Sequence, residues 1–434
     1  MKKQATPGKQ RFVHTALIAA MAVSIPAFAQ SVTVATKLPG KVHLLPATLE
    51  TTQWGWFDNA QAPVLTVNSG DTVVMETMMH SHNQVVPGKT IEELKKLRTD
   101  HPGRGPHTLT GPIYVEGAEP GDVLKVKMNR IVPRAYGTNF NIPGMFGQFP
   151  QEYQDGQVKY LYLDMERKVA EFLPGIEVPL RPFPGTTGVA RAEPGRYSSV
   201  PPGEYGGNMD IRDLQEGATL YLPVWVKGAL LWSGDSHAAQ GNGEVNLTAI
   251  ETAYKELNVT VEVVKNMKLD MPRIETDKSW ITVGFDKDLN LAYDGAHAQT
   301  IKFLSEQRKI SGAEAAALMP KVSDCRVSQV VNVKKGVHCL NPKDVKARGI
   351  PERPTADTKD SYVTSAVDAD LNKAMDNASR TMIERLQKEK GLNRLDAYGL
   401  ASVTMDCRVG EVQADKKAIH CLIPKSTWVT AKKK

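Results

Sequence analysis

In the stretch Ser233-Gly-Asp-Ser-His-Ala-Ala-Gln-Gly-Asn-Gly-Glu-Val245, Asp235, His237 and Glu244 fall within ten residues and among three glycines. A carboxylate, an imidazole and a second carboxylate are the parts that bind a metal ion or move a proton. Glycines let the backbone turn sharply and approach a small ligand. A plainer reading stands beside this one: Gly241-Asn-Gly243 as a hairpin turn with Asp235 as its cap. Other loops offer more groups. His80-Ser81-His82 follows the strand pattern 72–77, and an extended backbone there would project both rings to one side. Solvent exposure is the better reading for His80 than for His82. His107 precedes Thr108-Leu-Thr-Gly-Pro112, Glu116 and Glu119 come just before a Pro120-Gly121 turn, and the glycine-rich loop 201–210 holds Gly206, Gly207, Asn208 and Asp210.

These groups need a scaffold, and the chain supplies one in sections. Lys2, Lys3, Lys9 and Arg11, the apolar run Ala16 to Ile25 and Ala27-Phe-Ala29 read as a secretory signal over 1–29. Cleavage near Ala29 would deliver a periplasmic or secreted protein with no membrane anchor, since no later run reaches the roughly 20 apolar residues of a membrane span. It would also lower the formal net charge of +6 by four. The remaining basic residues are scattered, which argues against nucleic acid as a partner.

Residues 30–276 alternate apolar and polar positions in short runs bounded by Gly and Pro, such as Asp122-Val-Leu-Lys-Val-Lys-Met128 and Val259-Thr-Val-Glu-Val-Val264. That pattern predicts a mainly β core, sandwich- or barrel-like, with one strong helix at 90–97. The C-terminal third repeats at an offset of 82. The segment 277–345 is one α+β module, 346–358 a linker and 359–434 a second module, each of order β-α-α-β-β with Asp288 or Asp370 as a helix cap. All four cysteines lie in the modules, Cys325 with Cys339 and Cys407 with Cys421, each pair fourteen residues apart about a hairpin. Four cysteines allow three pairings. One disulfide within each copy is the favoured pairing in an oxidising compartment. A zinc site using His338 or His420 is the sharper alternative, although no Cys-x-x-Cys is present.

Thr110-Gly-Pro-Ile-Tyr-Val-Glu-Gly-Ala-Glu-Pro-Gly-Asp122, Pro182-Phe-Pro-Gly-Thr-Thr-Gly-Val189, Gly206-Gly-Asn-Met-Asp210, the segment 233–245 and Thr248-Ala-Ile-Glu251 follow in order. Together they resemble the acetamidase/formamidase family over roughly residues 42–343. The resemblance implies a β-rich fold with a smaller α+β part, and hydrolysis of short linear amides to a carboxylate and ammonia. It matches His107, Glu116, Asn208, Asp210, Asp235, His237 and Glu244 to motif residues. This chain departs from the family pattern at Arg191, Asn242 and Asn246, and in its second module and signal segment.

Amide hydrolysis needs an activated nucleophile, oxyanion stabilisation and a proton for the leaving amine. No Gly-x-Ser-x-Gly elbow is present, and the cysteines lie outside the motifs. The expected machinery is therefore water activated by a divalent metal such as zinc, with His82, His107, Asp235 and His237 as ligands. Glu116, Glu244 and Asp210 are the candidates for proton transfer. Gly206, Gly207 and Asn208 are those for binding a small amide substrate. A non-catalytic binding protein on the same fold is the alternative. A homo-oligomer, with the doubled module serving assembly, is a further expectation.

Overall fold

The computed structural model describes residues 40–346 and 352–429. The signal segment 1–29, residues 347–351 of the linker and the last five residues lie outside the described residues.

The chain is mainly β, built on two large sheets. In the long strands Val123–Pro133 and Tyr254–Val264, buried and accessible positions alternate, as expected where one face meets a core and the other meets water. These strands pair antiparallel within a twelve-stranded sheet. The second sheet contains Thr108–Val115, Phe183–Val189, Gly206–Asn208, Leu231–Ala239 and Ile250–Thr252. One apolar core joins the two sheets, with Val73, Val126, Leu220 and Leu257 from the first and Leu109, Ile113, Val189 and Trp232 from the second. Residues 233–239, read above as part of a glycine-rich turn, are instead strand. All nine residues of Leu231–Ala239 are buried. Their polar side chains are tolerated because neighbouring segments supply partners, such as Thr187 for Ser233 at 2.8 Å and Thr77 for Ser236 at 2.6 Å.

Helices begin where the sequence supplies caps. Thr90 and Glu93 form a reciprocal capping box at Ile91–Thr99. The side chains of Asp288 and Asp370 accept from Asn290 and Asn372 N–H at the starts of Leu289–Arg308 and Leu371–Lys390. No helix among the described residues is long and apolar enough to cross a membrane.

The two C-terminal segments do not stand apart from the core. The twelve-stranded sheet continues from Arg273–Glu275 into Ser279–Asp286 and then through Lys335–Pro342, Asp324–Gln329, Asp406–Val412, Lys417–Pro424 and Ser361–Asp368. All the described residues, both C-terminal segments included, belong to one compact unit. Each segment has the element order strand, helix, helix, strand, strand.

Cys325 faces Cys339 and Cys407 faces Cys421 in adjacent antiparallel strands, and each pair forms a disulfide. No cysteine among the described residues is free. This removes the zinc alternative, because the sulfurs are bonded to one another. His338 and His420 instead pair through Nδ1 with Ser328 and Ser365, each at 2.8 Å.

Removing the second bridge as Cys407→Ser/Cys421→Ser should lower stability by about 3 kcal/mol, the value expected for a closed loop near 15 residues. A urea midpoint shifted at unchanged slope would show it; an unchanged midpoint would mean that the bridge adds nothing to the hairpin.

Candidate functional site

The strand Leu231–Ala239 lies between three neighbours, and its register assembles the site. His237 pairs across to Phe183 on one side and to Glu251 on the other. Thr186 pairs with both Gly234 and Asn208, which brings the glycine-rich loop alongside. Alternation places Asp235 and His237 on one face of their strand. At that face lies a cavity of about 60 Å³ lined by His80, His107, Asp210, Asp235, His237, Glu244 and Glu251, with Asn208 and Asn332 at its edge. Its lining also has an apolar part, including Leu94, Phe140, Phe146 and Leu247. A single water needs roughly 10–15 Å³ of such space, so the cavity suits a solute of a few heavy atoms.

Gly185 makes the room. A Cβ there would stand 2.5 Å from Asp210 Oδ1, 2.5 Å from His237 Cε1 and 2.6 Å from Asp235 Oδ2. Three of the acids are also held in a backbone conformation that side chains rarely adopt, with φ of 50° at Asp210, 52° at Asp235 and 48° at Glu244. Such strain persists where surrounding structure over-determines it, and it concentrates at functional sites.

The polar atoms converge closely. His80 Nε2 lies 2.8 Å from Asp235 Oδ1 and 3.4 Å from Glu251 Oε2. His237 Nε2 lies 3.4 Å from Asp235 Oδ1 and 3.2 Å from Glu251 Oε2. His107 Nε2 is 3.7 Å from the other oxygen of Asp235, and its Nδ1 pairs with Ser199 at 2.8 Å. On the far side of His237, its Nδ1 is 3.8 Å from Asp210 Oδ1. That nitrogen, Asp210 Oδ1, Glu244 Oε2 and Glu251 Oε2 are buried without a hydrogen-bond partner. Candidate ligand atoms of Asp210, His237 and Glu244 form one cluster, those of Asp235, His237 and Glu251 another, and those of His80, His107 and Asp235 a third.

Burial and crowding set the charges. Burial pushes the Asp210 carboxyl well up, and Asp235 and Glu251 add to that. Burial and then Asp210 push Glu244 up. For His237 and His80 burial opposes the proton, but Glu251 and Asp235 outweigh it and raise both rings. Burial takes His107 down to about 3. Asp235 goes the other way: burial disfavours its anion, but the ring nitrogens of His107, His237 and His80 around it hold it well below the usual range. The cavity thus pairs acids whose protonation states are pushed apart, the arrangement that separates acid from base roles.

Of the residues singled out in the sequence, His107, Asn208, Asp210, Asp235, His237 and Glu244 line the cavity. Gly206 and Gly207 do not line it. They serve the strand behind it, where a Cβ on Gly206 would stand 2.5 Å from Thr187 O. Glu116 is exposed on the turn after Thr108–Val115 and away from the cavity. His82 also lies apart from the lining groups, beside Trp54 at 5.8 Å between rings. The expectation for 80–82 rested on extended backbone. Instead Ser81, His82 and Asn83 take φ of 56°, 52° and 65°, and the chain curls so that His80 points inward. Glu251 was missed as a functional group. The signal was its place in the Thr248-Ala-Ile-Glu251 motif, one strand from His237.

A sequence profile of the Acetamidase/Formamidase family matches residues 50–196 and 190–351. An acetamidase of Mycolicibacterium smegmatis is 28% identical over 218 residues, 37% of this chain and 54% of that protein. The crystal structure of an acetamidase from Bacillus halodurans superposes with a TM-score of 0.63 at 29% identity, over 69% of this chain and 97% of that one. A predicted acetamidase/formamidase of Thermoanaerobacter tengcongensis gives 0.63 at 31% identity, over 70% of this chain and 95% of that one. The chain spans 52% to 61% of the length of the curated relatives it matches.

Gly185→Ala should destabilise the protein by about 1–3 kcal/mol, the usual cost of overpacking, because the new methyl meets three cluster side chains at once. Thermal unfolding followed by circular dichroism checks this. An unchanged midpoint would show that the cluster yields freely.

Proposed function

The chain belongs to the acetamidase/formamidase family, and from that premise we propose that it hydrolyses short linear amides, formamide- or acetamide-like, to a carboxylate and ammonia. The observation that carries this reading is the buried cluster of four carboxylates and three imidazoles at the end of a cavity sized for a few heavy atoms. The cysteines are in disulfides, which leaves no thiol among the described residues to act as nucleophile.

The cluster fits a divalent cation. Zinc ligands at about 2.0–2.1 Å in a tetrahedron stand roughly 3.3 Å apart. The edges His80–Asp235, His80–Glu251, His237–Asp235 and His237–Glu251 run from 2.8 to 3.4 Å. We assign Asp235, His237 and Glu251, a group of mutually close donors, as the holding set, with His80 joining it through Asp235 and Glu251 and His107 supporting Asp235; His80 takes the place expected of His82. A divalent cation bound there supplies Lewis acidity and an acidified water at neutral pH.

The chain's own residues do the rest. The apolar wall of Leu94, Phe140, Phe146 and Leu247 excludes bulk water and limits the acyl group to a short chain. Water adds to the carbonyl carbon, and its proton passes to a carboxylate facing the cavity. As the C–N bond breaks, that proton goes to the nitrogen, which leaves as ammonia. Glu244 is assigned this transfer, because its buried Oε2 has no other partner. Asp210 is steadied by a bond from Asn332 Nδ2 to its other oxygen. The basic, apolar N-terminal stretch and the two disulfides support a place of action outside the cytoplasm.

Full-length protein should release ammonia from formamide or acetamide, and Glu244→Gln should lower kcat/KM by about 10²- to 10⁴-fold. Binding of an amide with no ammonia released would favour the non-catalytic alternative. Zinc binding after chelation should weaken as pH falls from about 8 to 6 and should release protons, because the raised His80 and His237 rings must lose theirs to become ligands. Calorimetry in two buffers of different ionisation enthalpy reads both effects. An active, metal-free preparation would sink the metal assignment.

A further inference from the structure

The loop that carries Glu244 is gripped from two sides. On one side, Gly243 N–H donates to Ser328 O at 3.0 Å, and Val330 N–H donates to Gly243 O at 3.1 Å. On the other side lie the helix Arg394–Thr404 and the strand Asp406–Val412. Gly241 N–H donates to Ser402 O at 2.8 Å, and Cys407 N–H to Asn242 O at 3.1 Å. Tyr398 O–H donates to Val245 O at 2.6 Å. Ser402 Oγ donates to Thr248 O at 2.8 Å and accepts from Asn246 N–H at 3.2 Å. Asn242 Nδ2 donates to Asp406 Oδ1 at 2.6 Å. Asp406 is itself anchored by Arg212 at 3.1 Å and Arg408 at 2.8 Å. The approach is close because Gly241 has no side chain: a Cβ there would stand 2.5 Å from Met405 O.

This outer grip is itself docked by a reciprocal set of contacts. Asn290 Nδ2 donates to Asp370 Oδ1 at 2.8 Å, and Asn372 Nδ2 to Asp288 Oδ1 at 3.1 Å. Leu289 N–H donates to Asn372 Oδ1 at 3.1 Å, and Leu371 N–H to Asn290 Oδ1 at 3.0 Å. Arg326 and Arg408 face one another where the two segments' strands meet. Each of these bonds has a counterpart in which both residues are exchanged for their equivalents at the offset of 82, and Arg326 and Arg408 are themselves such equivalents. This is the self-complementary pattern of a two-fold interface, closed here within one chain.

The family profile ends at residue 351, and the outer grip comes entirely from beyond it. Glu244 sits at φ 48°, a conformation that a loose loop would abandon. We propose that residues 359–429 act as a built-in clamp on the catalytic loop, with Tyr398, Ser402 and Asp406 as positioning residues for Glu244. Turnover then depends on a segment that the family match does not include. The turnover part rests on the amidase reading; the grip on the loop does not.

The test uses full-length Tyr398→Phe/Ser402→Ala beside Arg385→Ala, which breaks a 2.6 Å pair between the same segment and Asp357 of the linker. For the double variant, kcat on formamide should fall about 10- to 100-fold, as small misplacements of catalytic groups do, with KM within about threefold. Amide hydrogen exchange should quicken over 241–248 and not across the core strands. Arg385→Ala should keep kcat. Unchanged exchange in the loop, unchanged kcat despite faster exchange, or an equal loss in Arg385→Ala would each overturn the clamp. If the parent protein releases no ammonia from any short amide, the amidase reading fails alone. Exchange over 241–248 then decides the clamp: a local rise upholds it and no rise overturns it. Should the double variant not fold, Tyr398→Phe, which deletes one hydroxyl, is read by the same criteria.

Discussion

Four carboxylates and three imidazoles share one buried cavity, and the rest of the structure is organised around making that tolerable. Charged groups taken out of water cost several kcal/mol each unless they are paired and held. Here the offset comes from mutual pairing, with His80 and His237 each set between Asp235 and Glu251. The pairing works only at the observed spacing, so every element that sets the spacing becomes essential. Gly185 is the clearest case, because a single methyl there would intrude on three of these side chains.

The same constraint explains why the site sits at the centre of a sheet. A strand flanked by three others fixes its register to a single answer, and the pairings of His237 with Phe183 and Glu251 carry that precision to the cluster. Three acids in left-handed backbone conformations need support from outside their own segments. For Glu244 it comes from the two C-terminal segments, which extend the other sheet and reach back over residues 241–248. Seen this way, Asn242 is a matched residue: its amide donates to Asp406, where a carboxylate would face another carboxylate.

Much of the scaffold was legible from local chemistry. Asp288, Asp370 and Thr90 mark helix starts because a side-chain oxygen placed before a helical run satisfies its first N–H groups. The equal spacing of Cys325–Cys339 and Cys407–Cys421 about a hairpin puts each pair at facing positions. Three readings went astray, and each turned on backbone direction. The 80–82 segment was read as extended, and positive φ at Ser81 and His82 exchanges the roles of the two histidines. Residues 233–239 resemble a turn by composition, yet they run as a fully buried strand because neighbouring strands pair with their backbone on both sides. Glu116 shares a motif with structural residues of its turn, and nothing local distinguishes an acid facing water from one facing a cavity.

The sequence by itself determined the mainly β class, the order of elements in the C-terminal segments and most of the chemical groups that line the cavity, and it favoured one cysteine pairing of three, which the structure then shows. These depend on periodicity, capping and spacing, which are properties of neighbouring residues. Only the tertiary structure decided that His80 and Glu251 join Asp235 and His237, that Glu116 and His82 do not, and that Tyr398, Ser402 and Asp406 hold the loop of Glu244 from more than 150 residues away. Convergence of that kind is set by strand register, by left-handed turns and by the absence of a side chain at Gly185 and Gly241. Each of these acts through space between residues that the linear chain keeps apart.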